Sequence, residues 1–145
     1  MLGWVMATIA TVQAADLSMA DVLDLYASVG WLAYTKDPEN LLAALSGSSI
    51  VVTAREGKAL VGLARVISDN ASICYLQDIL VRPGHQREGI GRALVSTALG
   101  YYPQVRQKVL LTDDEPGQKA FYESLGYTQA TEFDGGAVRA FLRFD

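Results

Sequence analysis

The chain is poor in the residues that small proteins use as staples. It holds one cysteine, Cys74, so neither an intrachain disulfide nor a cysteine-based metal cluster can form. Its place between Ile73 and Tyr75, Leu76 reads as a small buried residue of a strand rather than a nucleophile. There is one histidine, His85. One imidazole cannot build a His-rich site, and no ligand spacing is present elsewhere, so no metal is expected. Proline is scarce, at four residues, and no repeat, low-complexity tract or linker interrupts the chain, so residues 1–145 are expected to form one domain. Positive charge is not in excess. Lys plus Arg number 12 against 16 Asp plus Glu, a net charge of -4, which argues against a nucleic-acid surface. No apolar run reaches the roughly 18 residues of a membrane span, so no membrane partner is expected and the cytoplasm is the expected location.

Half of the residues are hydrophobic, and a chain of this length buries roughly 70% of its unfolded surface. The opening "MLGWVMATIATVQAADL" is apolar and ends in small residues, as a secretory leader does, but it has no basic start. Alternation through Thr8, Ile9, Ala10, Thr11 and Val12 reads instead as a first strand. Ser18-Met19-Ala20-Asp21 then forms a capping-box pattern, followed at helical spacing by Val22, Leu25, Tyr26 and Val29, with Gly30 as the stop. Asp37-Pro38 reads as N-cap and first residue of a second helix, with Leu41, Leu42 and Leu45 inside and Gly47 at its end. "SSIVVTAR", "ALVGLARVIS" and "ASICYLQDILV", joined by short polar turns, form an antiparallel meander. A helix after Gly89 places Ile90, Ala93, Leu94, Ala98 and Tyr101 on one face. "KVLLT" is a short strand, "GQKAFYESLGY" a short helix closed by Gly126, and "YTQATEF" with "VRAFLRF" a terminal hairpin around Gly135-Gly136. The order predicts an α/β (α+β) fold, with a mixed, mainly antiparallel sheet of about seven strands flanked by about four helices on both faces.

One short stretch carries chemistry. In "VRPGHQREGIGRAL" a strand passes through a proline turn into Gly89 and Gly91, and a helical apolar pattern begins at once. A helix start leaves amide N–H groups unpaired and carries partial positive charge. Glycines there let an anion approach the backbone closely, and Arg87 adds mobile positive charge. The loop is neither a dinucleotide-binding fingerprint, which needs a third glycine, nor a P-loop, which needs Gly-Lys-Ser/Thr.

Gln86-Arg87-Glu88-Gly89-Ile90-Gly91 after "DILVRP" resembles the acetyl-CoA signature of the GNAT superfamily of N-acetyltransferases. "AFYESLGY", Ala120 to Tyr127, resembles that superfamily's later helix with its Tyr-x-x-x-Gly-Phe/Tyr pattern. The order of elements agrees over nearly the whole chain. The resemblance implies acetyl-CoA as co-substrate and an amine acceptor. Backbone groups of Ile79, Leu80 and Val81 would pair with the pantetheine arm like an added strand. Gln86, Arg87, Glu88, Gly89, Ile90, Gly91 and Arg92 would hold the pyrophosphate, and Tyr122 would be the general acid at the sulfur.

Direct transfer from a thioester to an amine requires that the amine lose a proton, that the carbonyl oxygen meet a donor, and that the departing thiolate be protonated. Asp78 is the candidate base, as a carboxylate on the strand beside the expected thioester site, the alternative being that it caps a turn or binds a neighbouring backbone group. "QDILV" also resembles the Glu-Asp pair of glucosamine-phosphate acetyltransferases, with Gln77 in place of Glu. Other branches place a Glu earlier on this strand, where Tyr75 stands here. Many members also carry an Asn seven residues before the tyrosine, where this chain has Glu115, an acceptor rather than a donor. Asp113, Asp114 and Glu115 read as the acidic lead into the following helix. Trp31 and Tyr34, in "VGWLAYT", are either core or the lining of the acceptor side. The expected activity is acetyl-CoA-dependent N-acetyl transfer to a small primary amine. A non-catalytic acyl-CoA-binding or sensory module, and transfer to protein amines, are the alternatives. Homodimer formation through the C-terminal strands is a further expectation.

Overall fold

The computed structural model describes residues 7–145, so the opening Met1–Met6 of the leader-like segment lies outside the described residues. Two compact units are present, one up to Leu111 and one from Thr112 to Asp145.

The first unit is built on a five-stranded sheet in the order β1-β2-β3-β4-β5. These are β1 (Thr8–Val12), β2 (Ile50–Glu56), β3 (Ala59–Ser68), β4 (Ile73–Val81) and β5 (Gln107–Leu110). β1 to β4 run antiparallel to their neighbours, and β5 pairs parallel with β4. The expected meander is therefore present. β3 is buried along nearly its whole length, which explains its almost unbroken apolar run rather than an alternating one.

Helices cover both faces. α1 (Met19–Ser28) starts at Ser18, whose side chain accepts from the Asp21 N–H, and α3 (Pro38–Ser46) starts at Asp37, which accepts from the Asn40 N–H, with Pro38 in the first turn. The predicted caps thus form as capping chemistry requires. Val22, Leu25, Tyr26, Leu41 and Leu45 from these helices join Val51, Leu60, Leu63 and Leu80 in one buried cluster. Each such side chain contributes about 1.5–3 kcal/mol of burial. On the opposite face α4 (Ile90–Leu99) buries Ile90, Leu94, Val95 and Ala98. It lies so close to β3 that a Cβ on Gly62 would stand 3.0 Å from Leu94 Cδ1 and 3.2 Å from Ile90 Cγ2. Tyr101, expected on this apolar face, follows the helix end. It is half exposed, and its hydroxyl pairs with Thr11 Oγ1 at 2.8 Å, because a phenol at the rim keeps its polar tip in water.

Two departures matter. Between α1 and α3 the "WLAYT" segment forms a one-turn helix, α2 (Leu32–Thr35), too short to leave a periodic signal. The terminal hairpin, in turn, is a turn without strands. Gly135 and Gly136 adopt φ of 86° and 143°, but the flanking residues form no strand: they hold a 3-10 turn at Ala130–Glu132, a Val138 N–H bond to the Ala130 carbonyl and a Gly136 N–H bond to the Phe133 carbonyl. Phe141 and Phe144 are about nine-tenths exposed. Alternation sets the face a strand would present, but a strand also needs a neighbour for its backbone groups, so among the described residues the sheet has five strands rather than about seven. The second unit's helix is α5 (Gln118–Ser124), which begins after Gly117 and ends at Leu125 and Gly126.

Candidate functional site

β4 carries an irregularity that sets up the site. Arg65 pairs with Asp78, but its neighbour Val66 pairs with Leu76, so Gln77 is an extra residue on β4. Such a bulge reverses the parity of the strand. Leu80 and Asp78 share the α1/α3 face with their partners Leu63 and Arg65, while Leu76 moves to the α4 face with Val66. A carboxylate is thereby driven into the α1/α3 side of the core.

There Asp78 is 2% exposed and Arg65 5%. Arg65 Nε donates to Asp78 Oδ2 at 2.5 Å, and the Tyr26 hydroxyl donates to the same oxygen at 2.9 Å. The Tyr34 hydroxyl donates to Asp78 Oδ1 at 2.9 Å. Arg65 spends its remaining donors on Tyr34 Oη at 3.1 Å and Ser48 Oγ at 3.3 Å. Burial alone would lower the Arg65 pKa, but the Asp78 carboxylate and its bond, with Tyr34, more than offset that and raise it. Burial pushes the Tyr26 phenol well above its ordinary value, and the charge of Asp78 adds to the shift. These are the conditions under which a buried ion pair is tolerated, with both carboxylate oxygens and all three guanidinium nitrogens engaged.

Around this pair the aromatic rings close up. Tyr26 meets Tyr34 at 5.1 Å and Trp31 at 5.9 Å between centroids, both near edge-to-face, a favourable geometry. Trp31 and Tyr34 are half-buried. Arg65 lies 5.8 Å from the Tyr34 ring centre. Tyr75 belongs to the same neighbourhood: burial raises its pKa, and Tyr34 and Asp78 add to the rise. Gln77, exposed on the bulge, reaches Tyr34 Oη with its amide at a long 3.5 Å.

Beyond the bulge the sheet opens. The β4–β5 ladder runs only over Ile73–Leu76 against Gln107–Leu110, so Gln77 to Val81 have no strand on that side among the described residues. Ile79, Leu80 and Val81 are held from the other side by Ala64, Leu63 and Gly62. The chain then turns through Pro83–His85 into the glycine loop. Arg87 and Gly89 adopt φ of 68° and 81°, and no side chain caps α4. Its first amides therefore face an uncovered end that an anion fits. Gln86, Arg87, Glu88 and Gly89 are exposed, Gly91 is half-buried and Ile90 anchors the turn in the core. The Gln86 amide folds back onto the Val81 carbonyl at 3.3 Å. His85 Nε2 lies 2.7 Å from Glu56 Oε2, and Arg82 ties the end of β4 to the Leu60 carbonyl at 2.9 Å and to Asp24 at 2.6 Å.

In the second unit Tyr122 is buried at 7% exposure, edge-to-face with Phe121 and Tyr127. Burial, with Asp113 nearby, pushes its phenol up to about 12. The expected residues thus fall into three groups: Asp78 with Tyr34 and Trp31, the β4 edge with the glycine loop, and Tyr122 on α5. Sequence reading missed Tyr26, taken as plain core, and Arg65. The signal for Arg65 was present, since a lone charge inside a buried-strand pattern requires a partner. Among the described residues no cluster suited to a metal ion occurs, and no helix is long and apolar enough to cross a membrane.

Comparison with known proteins gives these features a setting. Residues 21–135 match the acetyltransferase (GNAT) domain family. Over 121 residues the chain is 31% identical to a histone acetyltransferase of Glycine max, covering 74% of this chain and 52% of that protein. It is 28% identical over 117 residues to an uncharacterized N-acetyltransferase, ycf52, of Pyropia yezoensis, covering 77% of this chain and 66% of that one. The chain spans about half the length of the first two curated relatives it matches, 43% and 52%. Among solved structures, a GNAT-family acetyltransferase from Streptococcus pneumoniae superposes with a TM-score of 0.79 at 34% identity, covering 96% of this chain and all of that one. The match over residues 21–135, together with the superposition, settles the family: this chain belongs to the GNAT acetyltransferases.

Proposed function

We propose that the chain transfers an acetyl group directly from acetyl-CoA to a primary amine, with a small molecule as acceptor. The observation that carries this reading is the open edge of β4 from Gln77 to Val81 leading straight into the uncapped start of α4. An extended amide-bearing arm fits the first and a diphosphate the second, in the order in which CoA presents them. Ile79, Leu80 and Val81 supply the backbone partners of the arm, and the turn from Gln86 to Arg92 holds the phosphates.

The amine nitrogen bonds to the thioester carbonyl carbon, the oxygen takes up negative charge opposite a backbone N–H of β4 near Ile79, and the C–S bond then breaks. The nitrogen gives up its proton and the thiolate gains one. Tyr122 suits the second task, since a phenol pushed up to about 12 keeps its proton at neutral pH. Trp31 and Tyr34 form the acceptor side. No acyl-enzyme is needed, so Cys74, buried and with its thiol pKa raised by burial, takes no part. Transfer to a protein amine is the second reading, favoured by the Glycine max relative's description as a histone acetyltransferase.

Titration calorimetry with CoA, and CoA release from acetyl-CoA with a panel of amines, test the proposal. Gly89→Asp places a carboxylate where the phosphates would sit and a side chain at φ 81°. The expected result is saturable CoA binding that this variant loses, with acetylated product for at least one amine. CoA binding that survives in Gly89→Asp refutes the cradle. Binding with no transfer to any amine or peptide refutes the enzyme in favour of an acyl-CoA-binding module.

A further inference from the structure

Resting on that reading, we infer that the phenol oxygen of Tyr34, and not the carboxylate of Asp78, is the atom that meets the acceptor nitrogen, and that Asp78 and Arg65 are positioning residues that hold it.

Two facts remove Asp78 from direct contact. It is 2% exposed, and its oxygens already take three donors, one of them a guanidinium. With three donors on it and almost no exposed surface, it offers an incoming amine no approach. Tyr34 differs on both counts. It is half-buried, and it stands on the one-turn helix that interrupts the α1–α3 connection. Its single proton is committed to Asp78 Oδ1, so toward any other partner the oxygen can only accept. Arg65 Nη2 fills one of its lone pairs at 3.1 Å. The other faces the Gln77 amide at 3.5 Å, the limit of a hydrogen bond. Gln77 is exposed and sits on the bulge beside the open edge of β4, so an incoming N–H displaces it at little cost.

The result is a phenol oxygen fixed in rotation by its bond to Asp78, open to a ligand only as acceptor, next to the strand segment where the thioester would lie. A primary amine donates one N–H to it and is thereby turned with its lone pair free for the carbonyl carbon. The amine enters the site neutral, its ammonium proton left in water, and once the C–N bond forms one further proton passes from the nitrogen to water as the departing thiolate is protonated. Trp31, 6.2 Å from the Tyr34 ring, gives the carbon skeleton an apolar wall. The acceptor is thus held by a hydrogen bond and aromatic surface, since the buried charges among the described residues are one Arg and one Asp that cancel.

The test compares Tyr34→Phe with a protein in which Tyr34 is replaced by 3-fluorotyrosine. The fluorinated ring keeps its bonds to Asp78 and Arg65 but has a weaker acceptor oxygen. Probe acceptors are a dipeptide amide, a lysine peptide with blocked N-terminus, spermidine and an amino sugar, with CoA affinity measured in parallel. The expected result is a loss of about tenfold or more in kcat/KM for the accepted amine in Tyr34→Phe, a loss of a few-fold in the fluorinated protein, and unchanged CoA affinity in both. Activity within about twofold of the parent in either protein overturns the inference. So does a parallel loss of CoA affinity, the mark of a purely structural role. If Tyr34→Phe does not fold, the fluorinated protein decides alone. A parent protein inactive toward every probe defeats the acetyltransferase reading itself, whereas an active parent with an indifferent Tyr34 defeats only this inference.

Discussion

Arg65→Met is the sharpest perturbation of the buried pair. Methionine matches much of the arginine stem in length, so packing changes little. What changes is the electrostatics. The variant deletes the 2.5 Å bond to Asp78 and the bonds to Tyr34 and Ser48, and it leaves a carboxylate 2% exposed with two phenols but no counter-charge. Removing one partner of such a pair costs about 3–5 kcal/mol. Against a total of about 5–15 kcal/mol for a domain, that is between about a fifth and the whole of the stability. Adding Asp78→Asn removes the stranded charge, keeps an acceptor oxygen for one of the two phenols and offers the other an amide donor. The double variant therefore recovers at least half of the loss, and the two substitutions are strongly non-additive. Urea unfolding of the parent, both single variants and the double variant at neutral pH gives the cycle. A cost below about 1 kcal/mol for Arg65→Met, the range of an exposed pair, refutes the account of a desolvated pair at the heart of the site.

Other outcomes follow from the same geometry. Gly62→Ala forces a methyl against Leu94, Ile90 and the Leu80 carbonyl, all within about 3.2 Å. Overpacking of this kind costs about 1–3 kcal/mol. Because Ile90 opens α4, CoA affinity by calorimetry falls with it. Ser18→Ala removes the acceptor for the Asp21 N–H and lowers stability by about 1 kcal/mol, measured as a shift in the urea midpoint with an unchanged slope. At alkaline pH the sign is set by phenols whose folded pKa is raised. Tyr122, pushed up to about 12 from 10.0, keeps its proton in the folded state while the unfolded chain has lost it. The stability it contributes is present below about pH 10 and lost between about pH 10 and 12. The urea midpoint declines across that window in the parent, and Tyr122→Phe flattens part of the decline.

Much of this was legible from local chemistry, because local chemistry decides it. Ser18 and Asp37-Pro38 mark helix starts through bonds that span three residues. The glycine loop of residues 86–91 declares itself through positive φ at Gly89 and an apolar face that begins at Ile90. Features that depend on a distant partner were not legible. "VRAFLRF" alternates as a strand does, yet nothing in its own residues supplies the neighbour. α2 is one turn long and carries no period. Arg65 announced that a charge would be buried, but not that Tyr26, 39 positions earlier by the numbering of the bond partners, would share its carboxylate.

The bulge at Gln77 ties these observations together. Without the extra residue, strict alternation along β4 would put Asp78 on the same face as Cys74 and Leu76, against the wholly apolar surface of α4. An unpaired carboxylate there would cost several kcal/mol or would remain protonated. With it, Asp78 turns to the α1/α3 face and meets Arg65, Tyr26 and Tyr34 together. The same extra residue falls where the β5 ladder stops, so the insertion that rescues the carboxylate lies at the point where the strand edge opens. One irregularity therefore serves two ends. It orients the network that holds Tyr34, and it sits at the mouth of the groove in which an extended co-substrate would bind. A register slip that restored regular pairing would undo both at once, which is why stability and amine transfer are expected to fail together at this position, while they separate at Tyr34.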